Sequence, residues 1–470
     1  MKTILTLTVT LLYVHCLAQY QVNLRTNYKS GIAYLTYHMG SNYNVEDSAA
    51  INSQGVAVFK GKKNLPGGIY AIVFPGKKFT ADFLVGREQV INIIADTMDL
   101  TNMQVTGSKE NILFQQYQKV VAAKGALLQK EKAAYLSSKS ASDSALHERN
   151  YNKYNKELND YRNSIITNQP ASMMAVLLNG MKDPPYPTRV AVTKQDSIDN
   201  YNFYKSHYWD GITFMDERII RSPFFLPKLE RYYRQVMPQA PDSIIPDADY
   251  KLLLARTSPE MFKFLLNWLT DEYLNPKYMG QDAVFVHLFN KYHSKGLSPW
   301  LNEKQMETIS RRAYMQMANL VGERAANLEM LDMSGKPAPL YEVNSDYTVV
   351  VFWDPTCGHC KEEMPRVDSI FRASWKKKNV KIYAVLTEDQ KPEWIKYIND
   401  HNLTGWINVY QTKEMQAADF ANQKPGFRQL YDVTMTPTLY LLDKEKRIVG
   451  KKLTWQQLND LLEVKTAAKN

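Results

Sequence analysis

The sequence predicts a multidomain chain: an N-terminal all-β, sandwich-like module, a central mostly α-helical module and a C-terminal α/β domain. Three observations predict it. Between Gln21 and Val105 short β-rich runs alternate with turns containing Gly, Pro and Asn. From about Glu110 to Leu320 apolar residues recur at helical spacing. Beyond a linker holding Gly322, Gly335, Pro337 and Pro339, apolar runs alternate with amphipathic stretches, as strands and helices do in an α/β fold. A chain of 470 residues has room for about three cores, since one core rarely grows beyond roughly 250 to 300 residues.

In the first module the strand-like runs are Ile32–Met39, Ala57–Phe59, Ile69–Phe74, Phe79–Val85 and Gln89–Ile94. They are separated by Gly40-Ser41-Asn42, Asn52-Ser53-Gln54-Gly55, Pro66-Gly67-Gly68 and Pro75-Gly76. In the second, Tyr151, Tyr154, Leu158, Tyr161 and Ile165 fall on one helical face, as do Phe262, Leu265, Leu269 and Tyr273. The loop Pro184-Pro185-Tyr186-Pro187, Pro238 and Pro241 interrupt the helical pattern. In the third, Thr348–Trp353 and Val380–Leu386 read as buried strands, Lys361–Trp375 and Trp394–Asn399 as helices, and Trp406–Tyr410 and Pro437–Leu442 as further strands. The expected boundaries are 19–107, 108–322 and 323–470.

Residues 1–18 read as a secretory signal peptide: Met1-Lys2, an apolar run from Ile4 to Val14, and small Ala18 before the cleavage point. Bulky Tyr13, Val14 and His15 ahead of Cys16 argue against a lipid anchor there. No other stretch approaches the roughly 20 apolar residues needed to cross a bilayer. The expected location is therefore extracytoplasmic. The formal charge of +10, from 58 basic and 48 acidic residues, is spread along the chain instead of gathered in a stripe, so a nucleic-acid partner is not expected.

With Cys16 in the leader, Cys357 and Cys360 are the remaining cysteines. One vicinal pair does not staple a chain of this length, and a disulfide across four residues closes too small a loop to stabilise much. The alternatives fail on their neighbours. Zinc usually needs a second Cys or His pair, haem attachment needs His where Lys361 stands, and His147, His207, His287 and His293 show no ligand spacing. No metal or other cofactor is expected. A Cys-x-x-Cys pair where a strand runs into a helix suits thiol–disulfide exchange, because the helix N-terminus favours an anionic sulfur. His359 between the sulfurs, when protonated, favours the thiolate further.

With those residues in view, the third region resembles the thioredoxin superfamily, and within it the extracytoplasmic TlpA-like and ResA-like thiol-disulfide oxidoreductases. The resemblance rests on Val349-Val350-Val351-Phe352-Trp353 leading into Asp354-Pro355-Thr356-Cys357-Gly358-His359-Cys360, on Pro365, and on Val433-Thr434-Met435-Thr436-Pro437-Thr438-Leu439. It implies a thioredoxin-like fold, Cys357 as nucleophile, Cys360 as resolving thiol, and a cis Pro437 facing the sulfurs. It also implies that the backbone at Thr436 pairs with substrate as an added strand would. The implied partners are disulfide-bearing envelope proteins and a membrane thiol carrier that donates electrons. The first two modules look like ones that precede such domains in Gram-negative envelope proteins, an impression carried by Gly107-Ser108-Lys109-Glu110-Asn111 and Tyr278-Met279-Gly280-Gln281-Asp282.

Two departures bear on mechanism. Thr356 replaces the tryptophan common before the first cysteine, and Val351 occupies the place of thioredoxin's buried aspartate. Glu388 aligns with an active-site glutamate of ResA-like proteins and is the candidate proton acceptor, with a solvated turn carboxylate as the competing reading. Gly-His is also the dipeptide of protein disulfide isomerase, whose potential of roughly −180 mV lies above thioredoxin's −270 mV, so an oxidase or isomerase rivals a reductase. A thiol peroxidase would want a hydroxyl residue and a proline where Asp354 and Val350 stand. A non-enzymatic envelope binder delivering copper would want a histidine converging on the sulfurs, for which His401 is the distal candidate.

Overall fold

The computed structural model describes residues 19–187 and 189–467, so the expected signal peptide and Cys16 lie outside the described residues. The chain forms two compact units. One runs to Met237 and takes in Lys251–Phe264; the other comprises Pro238–Tyr250 and the chain from Leu265 onward.

The first unit begins with eight strands: β1 (Tyr20–Thr26), β2 (Ile32–Met39), β3 (Asn42–Ala50), β4 (Val56–Gly61), β5 (Gly68–Val73), β6 (Thr80–Val85), β7 (Val90–Ala95) and β8 (Gln104–Thr106). They make two four-stranded sheets, ordered β4-β1-β7-β8 and β3-β2-β5-β6. Alternation decides the packing: on β7, Ile91, Ile93 and Ala95 turn inward and Val90, Asn92 and Ile94 outward. Those inward residues share one core with Leu24 and Phe59 of their own sheet and with Leu35, Ile72 and Phe83 of the other, which makes a sandwich.

β5 reads Gly-Ile-Tyr-Ala-Ile-Val without alternation because both its faces are covered. On the outer face, Ile69 and Leu84 pack with Tyr117, Ile165, Met173 and Leu177. Those four belong to α1 (Lys109–Ser137), α2 (Ala141–Asn168) and α3 (Met173–Gly180). The segment at 107–111 docks this layer. Gly107 has φ +89°, and a Cβ there would sit 2.5 Å from the Val90 carbonyl oxygen, so only glycine fits. Ser108 caps α1, and the Asn111 amide bonds both backbone groups of Leu84 at 2.7 Å. On the predicted face of α2, Leu158 and Ile165 are buried, whereas Tyr151 is 37 % exposed. Beyond α3 come α4 (Lys194–Ser206) and α5 (Phe225–Arg231), then α6 (Pro241–Leu254) and α7 (Pro259–Leu274), each divided between the two units. Pro241 therefore opens a helix instead of interrupting one, as its fixed φ allows at a first turn.

The second unit adds α8 (Asp282–Leu288) and α9 (Glu303–Met317), then a six-stranded sheet. Its strands are β9 (Leu331–Asp332), β10 (Tyr347–Trp353), β11 (Val380–Leu386), β12 (Ile407–Tyr410), β13 (Thr438–Asp443) and β14 (Ile448–Lys451), in the order β14-β13-β10-β11-β12-β9. β10, β11 and β12 are parallel and β13 runs antiparallel to β10. The helices are α10 (Gly358–Ala373), α11 (Lys391–Asp400), α12 (Lys413–Ala421), α13 (Phe427–Leu430) and α14 (Trp455–Ala467). β10 is buried along its whole length. Val349, Val351 and Trp353 face a core holding Met364, Trp394 and Leu458, while Val350 and Phe352 face one holding Tyr383, Phe427 and Tyr440. This central strand ends where α10 begins. Among the described residues, no helix is long and apolar enough to cross a membrane.

Candidate active site

The turn from β10 to α10 presents the dithiol. Asp354 shapes it: its carboxylate accepts from the Thr356 backbone N–H and hydroxyl, both at 2.8 Å, and its carbonyl accepts from Cys357 N–H at 3.2 Å. Cys357 is the N-cap of α10, with extended backbone, so its sulfur stands at the positive end of a 16-residue helix. Both cysteines are free thiols here, Cys357 half-buried and Cys360 buried. One turn into the helix, Cys360 faces the core, and the Asp354 N–H approaches its sulfur at 3.5 Å.

The loop between α13 and β13 closes the other side. The Thr436–Pro437 bond is cis, and the Cys357 thiol donates to the Thr436 carbonyl at 3.4 Å. The structure thus brings Cys357, Cys360, Thr436 and Pro437 together. His359 is exposed on the first turn of α10. Glu388, just beyond β11, is half-exposed and its carboxylate is held by Arg428, whose Nη2 also donates to the Thr387 carbonyl at 3.0 Å.

The environment splits the two thiols. Partial burial pushes Cys357 up, but its contacts with Thr436, with the backbone and thiol of Cys360 and with the His359 backbone together hold it below the usual cysteine value. Burial pushes Cys360 up to about 12, and the neighbouring Cys357 adds to the effect. One sulfur is half-buried and the more readily ionised; the other is buried and keeps its proton.

Sequence reasoning missed the supports. Asp432, 2 % exposed with φ +46°, anchors the loop that leads to Thr436. Its carboxylate accepts from Arg312 of α9 at 2.7 Å and from Lys452. The segment Tyr278–Asp282 also meets the sheet: Asp282 pairs with buried Lys451, whose backbone N–H approaches the Met279 sulfur at 3.3 Å. The spacing of Asp354 and Thr356 carried a usable signal, since Asx turns favour Asp two residues before the N–H it binds. The Arg312–Asp432 pair, 120 positions apart, carried none.

Residues 321–451 match the AhpC/TSA family and residues 20–114 match a domain of unknown function, DUF4369. The chain is 26 % identical over 143 residues to the thiol-disulfide oxidoreductase ResA of Bacillus thuringiensis, covering 30 % of this chain and 75 % of that one. A solved domain of a possible thiol-disulfide isomerase from Cytophaga hutchinsonii is 34 % identical, over 32 % of this chain and 96 % of that one, with a TM-score of 0.28. A thioredoxin-like protein from Bacteroides caccae is 22 % identical, over 60 % of this chain and 98 % of that one, with a TM-score of 0.46. The C-terminal region is a thioredoxin-superfamily domain with ResA-like relatives, preceded by a DUF4369 module and a helical region.

Proposed function

We propose that this protein is an exported, periplasmic thiol-disulfide oxidoreductase that reduces disulfides in envelope proteins. The observation that supports the reading is the split between the thiols: Cys357 half-buried at a helix start and held low, Cys360 buried and pushed up to about 12. Cys357 thiolate attacks one sulfur of a substrate disulfide; a mixed disulfide forms and one substrate thiolate leaves. Cys360 then gives up its proton to a departing thiolate and attacks the Cys357 sulfur. The products are a Cys357–Cys360 disulfide and a substrate that has gained two electrons, as one thiol and one thiolate that takes its proton from water. A membrane thiol carrier returns two electrons to the pair. Thr436 and Pro437 position the substrate backbone beside Cys357, and His359 favours its thiolate. Glu388 serves as a proton acceptor only when its pairing with Arg428 opens.

Acid trapping in the living cell tests the direction. A reductase keeps Cys357 and Cys360 largely reduced until the membrane carrier is removed. A predominantly disulfide form that is indifferent to the carrier would contradict reduction and favour the oxidase or isomerase that the Gly-His dipeptide suggests.

A further inference from the structure

A cavity of about 760 Å³ opens in the second unit, beside the loop that carries Thr436. Its lining comes from the Leu274–Asp282 segment and α9 on one side, and from Asp432, Thr434 and the chain at 451–457 on the other. Thr434 is two residues from Thr436, whose carbonyl lies 3.4 Å from the Cys357 sulfur. Two residues of chain span at most about 7 Å, so the Thr436 backbone lies within about 7 Å of a residue that lines this cavity.

The charge of the lining is one-sided. Among the described residues that line it, five are cationic and two anionic. Both anions are spent: Asp432 on Arg312 and Lys452, and Asp282 on Lys451. Lys277 and Arg311 are exposed and carry no ion pair among the described residues, so their charge faces whatever enters. Gln316, 1 % exposed, sits in the wall, where its amide nitrogen donates to the Leu274 carbonyl at 3.0 Å. Met279, Met315 and Leu453 add apolar surface.

We infer that this cavity selects the substrate: it receives an acidic segment flanking the target disulfide, with Lys277 and Arg311 as its specificity-determining cations. The inference rests on the oxidoreductase reading and names the substrate class for that site. The helices upstream of the thioredoxin-like domain thereby supply part of the substrate surface.

The test uses the full chain and two synthetic decapeptides containing one cysteine, flanked on both sides by glutamates in one and by glutamines in the other. Their disulfide-linked dimers serve as substrates, and fluorescently labelled Cys→Ser versions serve as binding probes read by anisotropy. The glutamate peptide is expected to bind and to be reduced about tenfold better at low salt, the size of two exposed charge pairs, with the preference shrinking as salt rises. In the double variant Lys277→Glu, Arg311→Glu the ratio should fall to one or invert. Equal binding of both peptides, or a ratio the double variant leaves intact, overturns the proposal. Preferential binding of the glutamate peptide with reduction of neither dimer supports this cavity assignment and contradicts the oxidoreductase reading instead.

Discussion

The Cys357 thiol lies 3.4 Å from the Thr436 carbonyl oxygen, 79 positions away in sequence, so the helix that carries the dithiol and the loop that carries Pro437 meet at one sulfur. The two cysteines should consequently titrate far apart. In the reduced protein, iodoacetamide should modify Cys357 with a midpoint below that of a free cysteine, since its folded pKa is lowered. Cys360 should stay unmodified through pH 10, because its pKa is pushed up to about 12. Peptide mapping after alkylation across pH 5 to 10 reads both; equal labelling would contradict the split.

Arg312→Ala removes one of two cations from the buried Asp432 carboxylate. The cost should be about 2 kcal/mol of stability, less than for a pair broken outright because Lys452 remains. The loop bearing Thr436 loses its tie to α9, so disulfide exchange with a protein substrate should slow several-fold while iodoacetamide labelling of Cys357 barely changes. Urea melts and the two rates measured together separate this from general unfolding.

Much of this was legible beforehand, for physical reasons. β10 and β11 stood out because both their faces are covered, except at the exposed Lys381 near the start of β11, which leaves mostly apolar runs. The dithiol, the cis proline and the strand–helix junction were written in short motifs. The three-residue β8 and two-residue β9 were not, since neither is long enough to show a period. α1 gave little signal because only Asn111, Tyr117 and Glu131 of its 29 residues are buried. The cationic cavity was invisible because its lining is drawn from segments more than 100 positions apart.

His293 predicts acid sensitivity in the second unit. It is 2 % exposed, bonded to Thr270 Oγ1 at 2.8 Å and Ser298 Oγ at 2.9 Å, and burial lowers its pKa to about 4. A folded value below the unfolded one, about 6.5, means the unfolded state binds the proton more readily. The associated stability is fully present above pH 6.5 and is lost as pH falls toward 4, up to roughly 3 kcal/mol. Denaturant melts at pH 7 and pH 4 should show that loss, and His293→Gln should remove most of the difference between the two.

Glu388→Gln should move the Cys357 titration by less than about half a unit, because an exposed carboxylate already paired with Arg428 exerts little field at a distance. Thiolate absorbance at 240 nm during titration reads it. A shift of a full unit would mean that the Arg428 pair opens and Glu388 acts directly on the dithiol.

The most direct test of the central claim is mixed-disulfide trapping from the envelope with single cysteine variants. With Cys357 as nucleophile and Cys360 as resolver, Cys360→Ser should accumulate covalent adducts that dithiothreitol releases, and Cys357→Ser should accumulate none. Adducts on Cys357→Ser alone, or equal amounts on both variants, would contradict the account.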